Sequence, residues 1–224
     1  MDLNKTDQIA YPDAGALAQN KVLRQTYTLL SMTLLFSAAM AGVAMAIGVP
    51  PIMSIVSTIG AFVLFMFVLP RYAESGAGVA LVFAGTGLLG FGLGPILTFY
   101  LGLPNGPSII ATAMGGTAVI FLGLSAYVLT TKKDFSFMGG FLLVGIMVVL
   151  GAIIMNIFVQ MPALQITISA AIVLLMSGFI LFDTSRIING GETNYIMATV
   201  SLFISIFNLF TSLLQLLGIM GGDD

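Results

Sequence analysis

Long apolar runs alternate with short polar breaks along the whole chain. The runs lie at about residues 22–48, 51–69, 77–101, 108–130, 137–159, 164–188 and 195–220. Each approaches or exceeds the roughly 20 residues that an α-helix needs to cross about 30 Å of hydrocarbon. The pattern predicts an all-α membrane protein with seven transmembrane helices and no separate soluble domain.

The breaks between the runs carry turn-forming residues. Residues 103–107 read Leu-Pro-Asn-Gly-Pro and separate the third run from the fourth. Gly190-Gly191 can end the sixth helix, because glycine readily takes the left-handed conformation of a helix C-cap. Thr193 or Asn194 can then cap the N-terminus of the seventh. Glu192 and Asn194 are therefore expected to cap and orient this hinge; the alternative is a cytoplasmic contact.

The basic residues predict the orientation of the bundle. When the loops are counted alternately, all of them fall on one side: Lys5, Lys21, Arg24, Arg71, Lys132, Lys133 and Arg186. By the positive-inside rule the N-terminus is cytoplasmic and the C-terminus lies outside. We divide the chain into a flexible cytoplasmic tail, 1–20, and a single seven-helix transmembrane domain, 21–224.

The composition narrows the function classes. The chain is 58% hydrophobic and 7% charged, whereas soluble domains carry about 25% charged residues. It has no cysteine and no histidine, which removes thiol catalysis, the usual general base and the commonest metal ligands. We therefore predict a protein that is not an enzyme and has no metal or cofactor. The net charge of −2 gives no reason to expect nucleic-acid binding.

The last apolar run carries a polar stripe. Its members, spaced 4, 3, 4 and 3 residues apart, are Ser201, Ser205, Asn208, Ser212 and Gln215. That spacing keeps them on one face of a helix. Lipid offers no hydrogen-bond partners, so the stripe is predicted to face protein and the last helix to lie inside the bundle. The stripe either makes interhelical hydrogen bonds or lines a wet pathway.

Asp183 follows a full helix's length of apolar sequence in the sixth run. A carboxylate there is costly in lipid and must face protein, water or a partner. Three interpretations remain open: an ion pair with Arg186 one helical turn later, a proton-sensitive gate or latch, and a contact with a partner protein.

The third run is rich in glycine. Gly90 and Gly94 form a small-xxx-small pair, which predicts close packing against another helix. The alternative is a hinge at residues 92–95, Gly-Leu-Gly-Pro.

Several segments resemble a known family. They are 21–27 (KVLRQTY), 93–97 (LGPIL), 127–137 (YVLTTKKDFSF), 181–188 (LFDTSRII), 190–195 (GGETNY) and 207–210 (FNLF). Over about 22–220 the chain resembles the Bax inhibitor family, and within it the bacterial branch of modulators of the FtsH protease. The segments around Asp183 and Asn208 are the most specific.

The resemblance implies a multi-pass protein of the bacterial inner membrane whose last helix is surrounded by the others. It implies binding to the membrane-anchored AAA protease FtsH, whose attack on membrane substrates it restrains, and contact otherwise with the lipid bilayer. Another branch leaks calcium in a pH-dependent way through two aspartates on the last two helices. Asp183 matches the first, but the second falls at Ser205, so the pair is broken. A pH-sensitive calcium or cation leak is the alternative function.

Overall fold

The computed structural model describes residues 14–220, and within that range every regular element is helical. Seven helices are long and apolar enough to cross a membrane, as the sequence predicted. They are α1 (Ala14–Ala46), α2 (Ile52–Tyr72), α3 (Gly76–Leu101), α4 (Gly106–Thr131), α5 (Gly139–Val159), α6 (Pro162–Ile188) and α7 (Tyr195–Met220).

Helix α1 begins earlier than the sequence predicted. Residues 14–20 were assigned to the flexible tail but form the first turns of the helix. They read Ala-Gly-Ala-Leu-Ala-Gln-Asn, and alanine, leucine and glutamine are strong helix formers that need no apolar run. The rest of the predicted tail, 1–13, lies outside the described residues.

Helix α2 runs past its predicted end at residue 69. It contains a π-helical turn over Leu64–Val68 and continues to Tyr72 through Pro70. Proline has no N–H and clashes with the preceding turn of a regular α-helix. The wider turn immediately before Pro70 accommodates the ring, so the helix continues where the sequence predicted that it stops.

Helices α1 and α3 approach closely through the glycines of α3. A Cβ at Gly90 would collide with the carbonyl oxygen of Ser37, and one at Gly94 would collide with the Cβ of Ala44. The predicted close packing is therefore confirmed. Helix α3 passes through residues 92–95 without a break, so the structure does not support a hinge there.

Helix α7 packs on α1, α3, α4 and α6, and every residue from 195 to 219 is buried or half-buried. Its side chains Leu202, Phe203 and Leu209 belong to the main apolar cluster of the bundle.

Helix α5 differs from α7 in its burial. It packs chiefly on α6 and leaves large apolar side chains such as Phe141 exposed.

Candidate regulatory site around Asp183

Asp183 lies inside the bundle near the end of α6, with only 6% of its surface exposed. The hydroxyl of Ser201 on α7 donates a hydrogen bond to Asp183 Oδ2 at 2.5 Å. That length is typical of a strong hydrogen bond to a carboxylate. The contact joins the last two helices just before the hinge that connects them.

Arg186 does not pair with Asp183, which rules out one of the three interpretations. Its Nη2 lies 3.5 Å from Glu192 Oε2 and donates to the carbonyl oxygen of Gly191 at 3.0 Å. The guanidinium also lies over the ring of Phe182. Arg186 follows Asp183 by only one turn, but its long side chain reaches past the end of α6, where the hinge offers both a carboxylate and a free carbonyl.

The hinge residues act as predicted. Asn194 Oδ1 accepts hydrogen bonds from the backbone N–H groups of Ile196 at 2.9 Å and Met197 at 3.2 Å, and so caps α7. Its Nδ2 donates to the carbonyl oxygen of Ala73 at 3.0 Å, which fixes the hinge to the end of α2. Glu192 Oε1 accepts the N–H of Asn194. The predicted roles of Glu192 and Asn194 are confirmed.

The polar stripe of α7 divides into two kinds of residue. Its two end members bond across to α6: Ser201 to Asp183, and Gln215, whose Oε1 accepts the hydroxyl of Ser169 at 2.6 Å. Interhelical hydrogen bonding is therefore confirmed at both ends. In the middle, Asn208 Nδ2 donates at 2.8 Å to the carbonyl of Ile204 in its own helix.

The remaining stripe members, Ser205 and Ser212, are almost fully buried. Within the described part of the chain, no hydrogen bond joins Ser205 to Asp183. The α7 residue that contacts this carboxylate is Ser201, one turn before the position at which the resemblance places a second aspartate.

Ser185 has a role that was not predicted from the sequence. This buried hydroxyl accepts hydrogen bonds from the N–H of Phe135 at 2.8 Å and from Asn189 Nδ2, and it donates to Asp134 Oδ1. It ties the α4–α5 loop to the end of α6, two residues from Asp183. Hydrogen bonds from Ser136 lower the pKa of Asp134 below its usual range, and the one from Ser185 adds to this. The only sign of this role in the sequence was the position of Ser185, a polar residue two places after Asp183.

Comparison with known proteins identifies the family. A match to the family described as "Inhibitor of apoptosis-promoting Bax1" covers residues 19–222. The chain belongs to the Bax inhibitor family. A membrane protein of Vibrio cholerae is 52% identical over 93% of each chain. "Modulator of FtsH protease YccA" of Escherichia coli K12 is 51% identical over 92% of this chain and 94% of its own.

The same comparison supports the predicted location of this Bax inhibitor family member. A relative from Escherichia coli O6:H1, also 51% identical, is named "Inner membrane protein YccA". With the seven membrane-spanning helices, this confirms the predicted multi-pass protein of the bacterial inner membrane. Within residues 14–220, no group of three or more aspartates, glutamates, histidines or cysteines forms a metal site.

Proposed function

We propose that this chain binds a membrane-anchored AAA protease of the FtsH type and restrains its attack on membrane substrates. The observation that carries the proposal is the 51% identity, along almost the full length, to a relative named as a modulator of that protease. The bundle is compatible with a regulator rather than an enzyme, since the chain has neither histidine nor cysteine.

We propose further that α7 is the central helix and that the N-terminus is cytoplasmic. Two observations support this arrangement: no residue from 195 to 219 is exposed, and the basic residues all fall in alternate loops or in the helix ends next to them. The end of α2, the α4–α5 loop and the α6–α7 hinge then share the cytoplasmic side, with the Asp183–Ser201 contact just inside it.

The orientation predicts the behaviour of reporters fused after Asp224. Alkaline phosphatase is expected to be active there and green fluorescent protein to be dark, because the C-terminus would lie outside the cytoplasm. The same reporters in the α4–α5 loop after Lys132 provide the control and should give the reverse pattern. A fluorescent C-terminal fusion would contradict the proposed topology.

Protease regulation is tested in vesicles that contain the protease, a membrane substrate and this protein. The substrate's half-life is expected to be about twofold longer once half of the protease is occupied, by mass action. An unrelated polytopic protein at equal density controls for crowding of the bilayer. An unchanged half-life at saturating amounts would reject the modulator proposal.

The same assay separates an inhibitor from a competing substrate when the lifetime of this protein is followed too. An AAA protease needs a polypeptide end to pull on, and on the proposed topology the N-terminal segment is on its side of the membrane. We propose that this segment is that end. Deletion of residues 2–13 is then expected to lengthen the protein's own lifetime. An unchanged lifetime would show that the protease engages another part of the chain.

A cation leak is the second candidate, and the observation that favours it is the buried carboxylate of Asp183 between the last two helices. Calcium influx into reconstituted vesicles, measured at two pH values, tests it. A leak gated at this site would change with pH and be altered by Asp183→Asn. Flux that is insensitive to both changes would exclude Asp183 as a gate.

A further inference from the structure

A cavity of about 290 Å³ opens between the end of α2 and the start of α7, and Asp183 is not part of its lining. Its lining consists of Pro70, Arg71, Ala73, Glu74, Asn194 and Met197. Asn194 donates a hydrogen bond to the carbonyl of Ala73, which joins two of the lining residues and connects the end of α2 to the start of α7. The cavity is thus part of the fold and not a gap beside a loose loop.

The polar groups of the lining are not equally available to a ligand. Asn194 has its amide nitrogen and amide oxygen engaged by Ala73 and by the first turn of α7. Arg71 and Glu74 are exposed, and within residues 14–220 the only salt bridge is the one between Arg186 and Glu192. The cavity therefore presents one guanidinium and one carboxylate that do not neutralise each other.

The position of the cavity limits what can reach it. Arg71 lies in the last turn of the span Ile52–Tyr72, on the side of the bundle that carries the basic residues. This is the level of lipid headgroups, where arginine commonly binds phosphate and basic pockets between helices bind lipid. Pro70 and Met197 add apolar surface suited to the start of a lipid's glycerol and acyl region.

We propose that this cavity binds the headgroup of an amine-bearing phospholipid, with its phosphate on Arg71 and its ammonium on Glu74. The pairing of charges selects the headgroup. A purely anionic headgroup would gain from Arg71 but would be repelled by Glu74. A choline headgroup has the right charges but no N–H to donate to a carboxylate. Phosphatidylethanolamine offers a phosphate and a hydrogen-bonding ammonium a short distance apart.

Native mass spectrometry of the full-length protein in detergent tests this, with phosphatidylethanolamine, phosphatidylcholine and phosphatidylglycerol of identical acyl chains as probes. One phosphatidylethanolamine is expected to bind per chain, with an affinity roughly tenfold above that for the other two, as befits one charge-assisted hydrogen bond. Arg71→Gln should weaken the binding of all three lipids, because each carries the phosphate, and Glu74→Gln should remove most of the preference. Lys132→Gln, which alters a basic residue outside the cavity, should leave it unchanged.

Three results would overturn the proposal. One is tighter binding of phosphatidylglycerol than of phosphatidylethanolamine. Another is a preference for phosphatidylethanolamine that survives Glu74→Gln. The third is lipid binding that emerges only after deletion of residues 2–13, which would make the N-terminal segment the natural occupant. If a substitution disturbs folding, the relative affinities of the unmodified protein for the three lipids still test the proposal.

Discussion

Alanine at Gly90 is expected to destabilise the bundle by about 3 kcal/mol, at the upper end of the cost of overpacking. The added Cβ would collide with the backbone carbonyl oxygen of Ser37, and a backbone atom cannot rotate away as the end of a flexible side chain can. Helices α1 and α3 would have to separate along their shared face. Reversible unfolding in mixed micelles, followed by circular dichroism, measures the change.

Gly123 on α4 provides the matched control. It also lies in the middle of a span, but beyond the adjoining backbone of its own helix no atom lies within 4 Å of a Cβ built there. Gly123→Ala is expected to be neutral or slightly stabilising, because alanine favours a helix over glycine by up to about 1 kcal/mol. If both substitutions had equal effects, the close approach of α1 and α3 would not be what makes Gly90 necessary.

The number and order of the helices were predictable because lipid enforces them. Every backbone polar group in a span must be paired internally, so an apolar run of sufficient length has one structure available to it. The ends were harder to predict. Residues 14–20 are helical without being apolar, and α2 continues through Pro70 because a π turn accommodates the ring. Both depend on local backbone energetics that hydropathy does not record.

The polar stripe predicted which face of α7 points into the bundle, but it did not predict which residues of α6 that face contacts. Two hydrogen bonds show the register between α6 and α7: Asp183 with Ser201, and Ser169 with Gln215. Both pairs are centred on residue 192, the middle of the hinge, as expected for two antiparallel helices joined by a short turn. That register brings Ser201, rather than Ser205, to Asp183. Asn208 instead bonds to the carbonyl of Ile204 in its own helix.

The other contacts of the site could not have been predicted from the spacing of residues along the sequence. Ser185 and Asp134 are 51 residues apart, and their contact depends on how the α4–α5 loop folds against the end of α6. Arg186 was one turn from Asp183 and had the correct charge to pair with it. Glu192 competes successfully because the hinge turns back toward the end of α6. Proximity along a helix does not decide which ion pair forms when a neighbouring loop offers a competing carboxylate.

Removing the Ser201 hydroxyl is expected to lower the free energy of unfolding by about 2 kcal/mol. Ser201→Ala would leave the buried Asp183 side chain without the hydroxyl that donates to it, and an unsatisfied buried acceptor costs about 1–3 kcal/mol. Ser205→Ala provides the control, since that hydroxyl is buried on the same face of α7 but does not bond to Asp183. The coupling in a double-mutant cycle with Asp183→Ala isolates the contact from other effects of each change.

The same variants decide whether the contact between α6 and α7 is regulatory. If it holds a state that the protease recognises, Ser201→Ala should weaken protection of the membrane substrate at a temperature where the variant is still folded, and Ser205→Ala should not. If Ser201→Ala lowers stability and leaves the substrate's half-life unchanged, the contact only fastens the two helices together. The binding surface for the protease would then have to be sought on the outward faces of the bundle, of which that of α5 is the most exposed.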